Sequence, residues 1–96
     1  MSASAASEPE VHVAGLVVHA YPEAAERIAD AITRREGAQV HVRSPDGRLV
    51  VTLEAEGGDA IAAAVMDIQR IDGVLAASLV YQHSEPKSAM QEEVDP

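Results

Sequence analysis

The apolar run at residues 11–20, VHVAGLVVHA, constrains the fold of this chain more than any other segment. It is rich in Val and Leu and has too little polarity to leave either side in water, which is typical of a strand inside a sheet. The strands that pair with it must come from later segments. The side that it turns away from the core is where we expect the functional surface.

A helix and a β-hairpin are predicted after this strand. Pro in the first helical turn and apolar residues at helical spacing predict a helix over residues 22–36. Residues 39–43 and 48–56 alternate between apolar and polar side chains, as half-buried strands do. The Ser-Pro-Asp-Gly sequence at 44–47 favours a tight turn, so we expect the two strands to pair.

A second helix and a last strand complete the pattern. Gly57 and Gly58 break the preceding strand, and the side chain of Asp59 is the expected N-cap of a helix whose apolar residues recur over 61–71. Residues 74–82 predict the fourth strand. The order β-α-β-β-α-β indicates an α+β, ferredoxin-like split βαβ fold, with a four-stranded antiparallel sheet and two helices on one face.

The same pattern sets the domain boundaries. We expect a disordered N-terminal segment at residues 1–10, a ferredoxin-like domain at 11–83 and a disordered acidic tail at 84–96. A chain of 96 residues can bury one thin core. That core has to be aliphatic, because the sequence contains no Phe, no Trp and only two Tyr.

Alternation along each strand assigns its side chains to one of two faces. The bulkier set is predicted to point toward the helices: Ala14, Leu16, Val18, Ala20, Val40, Val42, Leu49, Val51, Leu53, Leu75, Ala77, Leu79 and Tyr81. The opposite, open face keeps mostly small or apolar residues, which form the candidate binding surface: Val13, Gly15, Val17, Val50, Thr52, Glu54, Ala76, Ser78 and Val80. A one-residue bulge in the last strand would reverse its assignment.

The apolar composition of this open face indicates an interaction site. Contiguous apolar surface of this kind marks binding to a partner. Gly15, Ala76 and Ser78 form a floor of small residues on which a helix could approach closely. Glu54 or Glu56 at the border could pair with a basic residue of that helix.

Charge argues against nucleic acid as the partner. The formal net charge is −9, from 16 acidic and 7 basic residues, whereas phosphate backbones are bound by stripes of Lys and Arg. RNA-binding sheets of this topology place aromatic residues on the central strands, where this chain has Val, Gly and Thr. An acidic surface favours solubility or a basic partner such as a positively charged peptide.

No pattern for catalysis or metal binding is found. The chain has no Cys and no Asn, and no Ser lies in a strand-turn-helix elbow. The histidines, His12, His19, His41 and His83, fall on opposite faces or edges of the predicted sheet, so no three of them converge. We expect no enzymatic activity, no metal and no cofactor.

Hydropathy indicates a soluble cytoplasmic protein. No apolar stretch approaches the roughly 18–20 residues of a membrane span. The first residues, MSASAASEPE, lack the basic n-region and apolar h-region of a signal peptide.

Three segments resemble the NapD family: GLVVHA at 15–20, RLVVTLEAE at 48–56 and IDGVLAASLVYQH at 71–83. The resemblance covers about residues 11–83, and the last segment is its most specific part. It implies a cytoplasmic chaperone for maturation of the periplasmic nitrate reductase catalytic subunit. Such a chaperone binds the twin-arginine (Tat) signal peptide of that subunit as a helix and holds back export until cofactor insertion is complete.

The resemblance further implies that the chaperone itself keeps no cofactor. From the hydropathy we expect no stable association with the membrane. We expect a monomer whose self-association is at most weak. One alternative is an ACT-like regulatory homodimer that pairs through the open face and binds a small ligand at its interface. A second alternative is a dimeric ferredoxin-like enzyme, which needs a convergent polar cluster that the sequence does not supply.

Overall fold

The computed structural model describes residues 10–86. Its strands are β1 (Glu10–Ala20), β2 (Ala38–Arg43), β3 (Arg48–Ala55) and β4 (Val74–Pro86). A short 3₁₀ turn, Pro22–Ala24, leads into helix α1 (Ala25–Thr33), and helix α2 (Gly58–Gln69) joins β3 to β4.

The strands form one antiparallel sheet in the order β2-β3-β1-β4. β1 and β3 are therefore central, and β2 and β4 are the edges. The predicted hairpin is the β2–β3 pair. The α+β, ferredoxin-like architecture predicted from the sequence is confirmed.

The core lies between one face of the sheet and both helices. Its largest fully buried side chains are aliphatic and come from strands and helices alike: Leu16, Val18, Leu49, Val51, Ile28, Ile32, Ile61 and Ile68. Burying each such side chain contributes about 1.5–3 kcal/mol. Within residues 10–86 no polar or charged residue is buried, so packing of these aliphatic groups is what holds the helices on the sheet.

Both helices differ from the sequence prediction at their ends. α1 ends at Thr33 with Arg34 as its C-cap, so the predicted end at residue 36 was wrong. Gly57, in an extended conformation, is the N-cap of α2 and no side chain caps this helix. The prediction of Asp59 as the cap was therefore wrong. Asp59 instead lies in the first turn, where its negative charge is favourable near the positive end of the helix dipole.

The outer strands extend further than predicted. β4 continues to Pro86, four residues beyond its predicted end at Gln82, because residues 84–86 pair with residues 10–12 of β1. Residues 1–9 and 87–96, which hold most of the two segments predicted to be disordered, lie outside the described residues.

A bulge in β2 changes the face of one valine. Val40 pairs with the buried Val51, but the register shifts at the next residue and Val42 pairs with Val50. Val42 is 50% exposed, and its predicted orientation toward the helices was wrong. One extra residue in an edge strand is enough to move the following side chain to the other face.

A register shift at the start of β4 has a similar effect. Val74 lies opposite the buried Ala20 and packs against the core, and the next residue in register with β1 is Ala76, opposite His19. Leu75, between them, is 58% exposed, so its prediction as a residue facing the helices was wrong. Ala77, opposite Val18, packs against the core as predicted.

The β2–β3 turn is closed by local hydrogen bonds. The Gly47 amide donates to the Ser44 carbonyl over 3.0 Å, and the Gly47 carbonyl accepts from the Ala20 amide over 2.9 Å, which ties the turn to the end of β1. The Ser44 hydroxyl donates to the Asp46 carboxylate and lowers the pKa of that group below its usual value. Gly47 has φ +96°, which side-chain-bearing residues rarely adopt.

We predict that Gly47→Ala lowers the free energy of unfolding by roughly 1–3 kcal/mol or more. The strain arises because an added Cβ would overlap the carbonyl oxygen of Ala20 at a positive φ. Gly57→Ala is the comparison, since its Cβ would meet open space and only the N-cap preference for Gly over Ala is lost, which should cost about 1 kcal/mol or less. Urea denaturation checks both, and equal effects at the two positions would contradict this description of the turn.

Candidate functional site

The candidate site is the face of the sheet opposite the two helices, which we call the open face. No element of residues 10–86 covers it, because α1 and α2 both pack on the other side. It is formed by side chains from all four strands: Gln39 and Val42 of β2, Arg48, Val50, Thr52 and Glu54 of β3, Val13, Gly15, Val17 and His19 of β1, and Ala76, Ser78, Tyr81 and His83 of β4.

Register pairs bring most of the sequence-predicted binding residues together on this face. On the β1–β3 side the pairs are Val13 with Glu54, Gly15 with Thr52, and Val17 with Val50. On the β4 side Ser78 lies opposite Val17 and Ala76 opposite His19. Val80 falls at a register shift, where it has no partner in β1, and its side chain is 64% exposed.

The centre of the open face is occupied by an aromatic ring. The shift at Val80 places Leu79 opposite Leu16 but Tyr81 opposite Gly15. The Tyr81 ring lies directly over Gly15, so that a Cβ added there would overlap the ring atom Cε1. The predicted orientation of Tyr81 toward the helices was wrong, because the bulge reverses the alternation of the last strand from this point onward.

Tyr81 changes what a partner would contact. The groove expected over Gly15 is filled at that point, which accounts for the burial of this glycine. The Tyr81 ring remains 46% exposed and stacks on the His83 ring, with centroids 6.0 Å apart. A Tyr with one covered side and one exposed side is a typical interaction anchor, because it buries much area at a low cost in side-chain entropy.

Apolar side chains surround this ring. Val13 and Val17 are half-buried and Val50 is 38% exposed, and the bulge in β2 adds Val42, which the sequence assignment had placed on the other face. A signal for the β4 bulge is present in the sequence, since Leu79, Val80 and Tyr81 are consecutive bulky residues and break strict alternation. No comparable signal marks the bulge in β2, where the alternation of residues 39–43 is regular.

A cleft opens where β2 begins and β3 ends. It has a volume of about 610 Å³ and is lined by Val13, Thr33, Arg35, Gly37, Ala38, Gln39, His41, Thr52, Leu53 and Glu54. Several of its polar side chains have partners within residues 10–86. His41 Nε2 and Thr52 Oγ1 are 2.7 Å apart, and Arg35 Nη1 lies 3.0 Å from Asp67 Oδ2. Glu54 is exposed, and no cation within residues 10–86 forms an ion pair with it.

The two ends of the open face differ in charge. Glu54 lies at the end where β1 begins, opposite Val13, whereas Arg48 lies at the end where β1 finishes, opposite His19. Arg48 Nη2 is 3.5 Å from Asp46 Oδ2, in a pair whose side chains are both more than half exposed. Such an exposed pair contributes about 1 kcal/mol or less, so Arg48 remains available to a partner.

The histidines are spread over the sheet. His12 Nε2 lies 3.8 Å from Glu10 Oε1, and His83 Nε2 lies 3.4 Å from Glu85 Oε2. Within residues 10–86 no three His, Cys, Asp or Glu side chains are grouped so that they could hold a metal ion. In the same part of the chain, no helix has the length and apolar character needed to cross a membrane.

Comparison with known proteins gives one consistent match. A family model described as NapD protein matches residues 11–86. The chain is 35% identical over 74 residues to Chaperone NapD of Escherichia coli K12, covering 76% of this chain and 85% of that protein, and the same values hold for Chaperone NapD of Shigella flexneri. The solution structure of the E. coli Tat proofreading chaperone protein NapD matches with a TM-score of 0.71 and 33% identity, covering 80% of this chain and 81% of that one.

The contact between Gly15 and Tyr81 can be tested by a double-mutant cycle. We predict that Gly15→Ala lowers the free energy of unfolding by about 1 kcal/mol, because the new methyl group displaces the Tyr81 ring from the sheet. In a Tyr81→Ala background the same substitution should leave the free energy of unfolding unchanged or raise it by about 0.5 kcal/mol, since Ala loses less backbone entropy on folding than Gly does. Equal costs in both backgrounds, measured by urea denaturation, would show that the ring does not cover Gly15.

Proposed function

This chain belongs to the NapD family, and we propose that it is a chaperone whose open face binds a Tat signal peptide. The proposed substrate is the twin-arginine signal peptide of the periplasmic nitrate reductase catalytic subunit. Binding takes place in the cytoplasm and holds back export until cofactor insertion is complete. The chaperone acts by occupying the peptide and needs no chemical step of its own.

The observation that carries this proposal is the uncovered, mostly apolar open face with an exposed carboxylate at one end. A signal peptide has a basic n-region followed by an apolar h-region of about 7–15 residues. Val17, Val50 and Tyr81 present apolar surface for the h-region, and Glu54 presents a negative charge for the n-region. The formal net charge of −9 further favours encounter with a basic peptide.

The apolar surface and the carboxylate contribute different amounts to the free energy of binding. Covering a half-exposed valine or tyrosine contributes about 1 kcal/mol, roughly half of its full burial energy. A single exposed ion pair contributes about 0.2–1 kcal/mol. Because at least four such apolar side chains surround the centre of the open face, apolar contact sets the affinity and the carboxylate sets the selectivity.

Reversible binding suits a chaperone that delays export. Association costs at least about 4 kcal/mol of lost freedom, which the apolar surface buried on both the open face and the peptide has to exceed. The occupied fraction of precursor then depends on the chaperone concentration relative to the dissociation constant. Release of the peptide needs only a competitor that binds the same peptide, or a change in the accessibility of the peptide.

Calorimetric titration with the signal peptide tests the proposal. We predict one peptide bound per chain, loss of binding when the h-region is made polar, and about two- to fivefold weaker binding when both arginines are replaced by Gln. The two altered peptides are the controls for apolar and charged contacts. Absence of binding, or equal binding of all three peptides, would contradict a signal-peptide function.

A further inference from the structure

We propose that the peptide lies on the open face in one direction, with its basic n-region at the Glu54 end and its h-region running parallel to β1 toward His19 and Arg48. The inference rests on the proposed function and adds the orientation of the substrate. It assigns Glu54 as the residue that receives an arginine, because the carboxylate at the opposite end, that of Asp46, is already paired with Arg48.

The charges at the two ends support this direction. Glu54 is exposed and has no cation partner within residues 10–86. At the other end, about 20 Å away along six residues of strand, lie Arg48 and His19. A reversed peptide would bring its arginines next to Arg48 and Asp46, which already pair with each other over 3.5 Å, so the carboxylate at that end is not free to receive an arginine. This separation exceeds the roughly 8–10 Å screening length at physiological salt, so each end acts on the peptide independently.

The cleft beside Glu54 has room for a guanidinium group. Its volume is about 610 Å³, and the half-buried Val13 provides apolar contact for the methylene groups of an arginine. Arg35 also lines the cleft, but its guanidinium is paired with Asp67 at 3.0 Å. Glu54 can therefore accept two parallel hydrogen bonds from a peptide arginine, a geometry that lysine cannot provide.

The length of the open face fits an apolar helix. The distance of about 20 Å from Val13 to His19 corresponds to about 13 helical residues, within the usual range of an h-region. An extended peptide would place only about six residues over the same distance. In the proposed direction the positive end of the helix dipole lies near Glu54 and the negative end near Arg48, so both ends are stabilised.

Spin labelling tests the direction. The probe is a synthetic peptide with two adjacent arginines followed by 13 apolar residues, carrying a nitroxide at its N-terminus or at its C-terminus. It is added to the full-length, ¹⁵N-labelled protein. We expect the N-terminal label to broaden the amide signals of Val13 and Glu54, and the C-terminal label to broaden those of His19, Arg48 and Ala76.

The possible results separate this inference from the proposed function. Binding with the reversed broadening pattern, or with equal broadening at both ends by either label, would overturn the single direction and leave peptide binding intact. If the unlabelled peptide does not bind, the proposed function fails and the orientation fails with it.

Substitution of Glu54 provides an independent measurement. Glu54→Gln should weaken binding of the two-arginine peptide by about two- to fivefold, yet leave the affinity for its two-glutamine counterpart unchanged. Glu23→Gln is the matched control, because Glu23 is exposed on the 3₁₀ turn that leads into α1 and should affect neither peptide. Equal weakening of both peptides by Glu54→Gln would overturn its role as the arginine receptor.

Discussion

Packing of β1 against the two helices is the interaction on which the rest of this structure depends. Leu16 and Val18 are at most 1% exposed and lie among the isoleucines of α1 and α2. Since helix packing uses one face of the sheet, β1 directs its alternate residues to the other. The same strand thereby forms the centre of the core and, through Val13 and Val17, the floor of the open face.

The open face is shaped by departures from regular strand geometry. The register shift at Val80 turns Tyr81 over Gly15, and the shift in β2 turns Val42 outward. Each change adds one apolar side chain to the uncovered side of the sheet. The result is an aromatic centre with valines around it, which favours contact with an apolar segment over deep insertion of a single side chain.

The elements, their order and the face assignment of the central strands could be predicted from the sequence, because these follow from periodicity and from burial of aliphatic residues. The face assignment of the edge strands could not, because one extra residue moves the following side chains across the sheet at little energetic cost. Tyr81 is the most consequential case, since a residue assigned to the core became the centre of the candidate site. Glu54 forms no ion pair with a cation of residues 10–86, so the fold alone does not identify what it binds.

The affinity of the two-arginine peptide for Ser78→Arg shows whether the open face is the peptide-binding surface. Ser78 is exposed on this face opposite Val17, whereas Ala62 is exposed on α2 and Ala62→Arg adds the same charge and bulk away from it. We predict at least a tenfold loss of affinity for Ser78→Arg, unchanged affinity for Ala62→Arg, and a cooperative fold in both variants. Equal affinities of the two folded variants would contradict binding at this face.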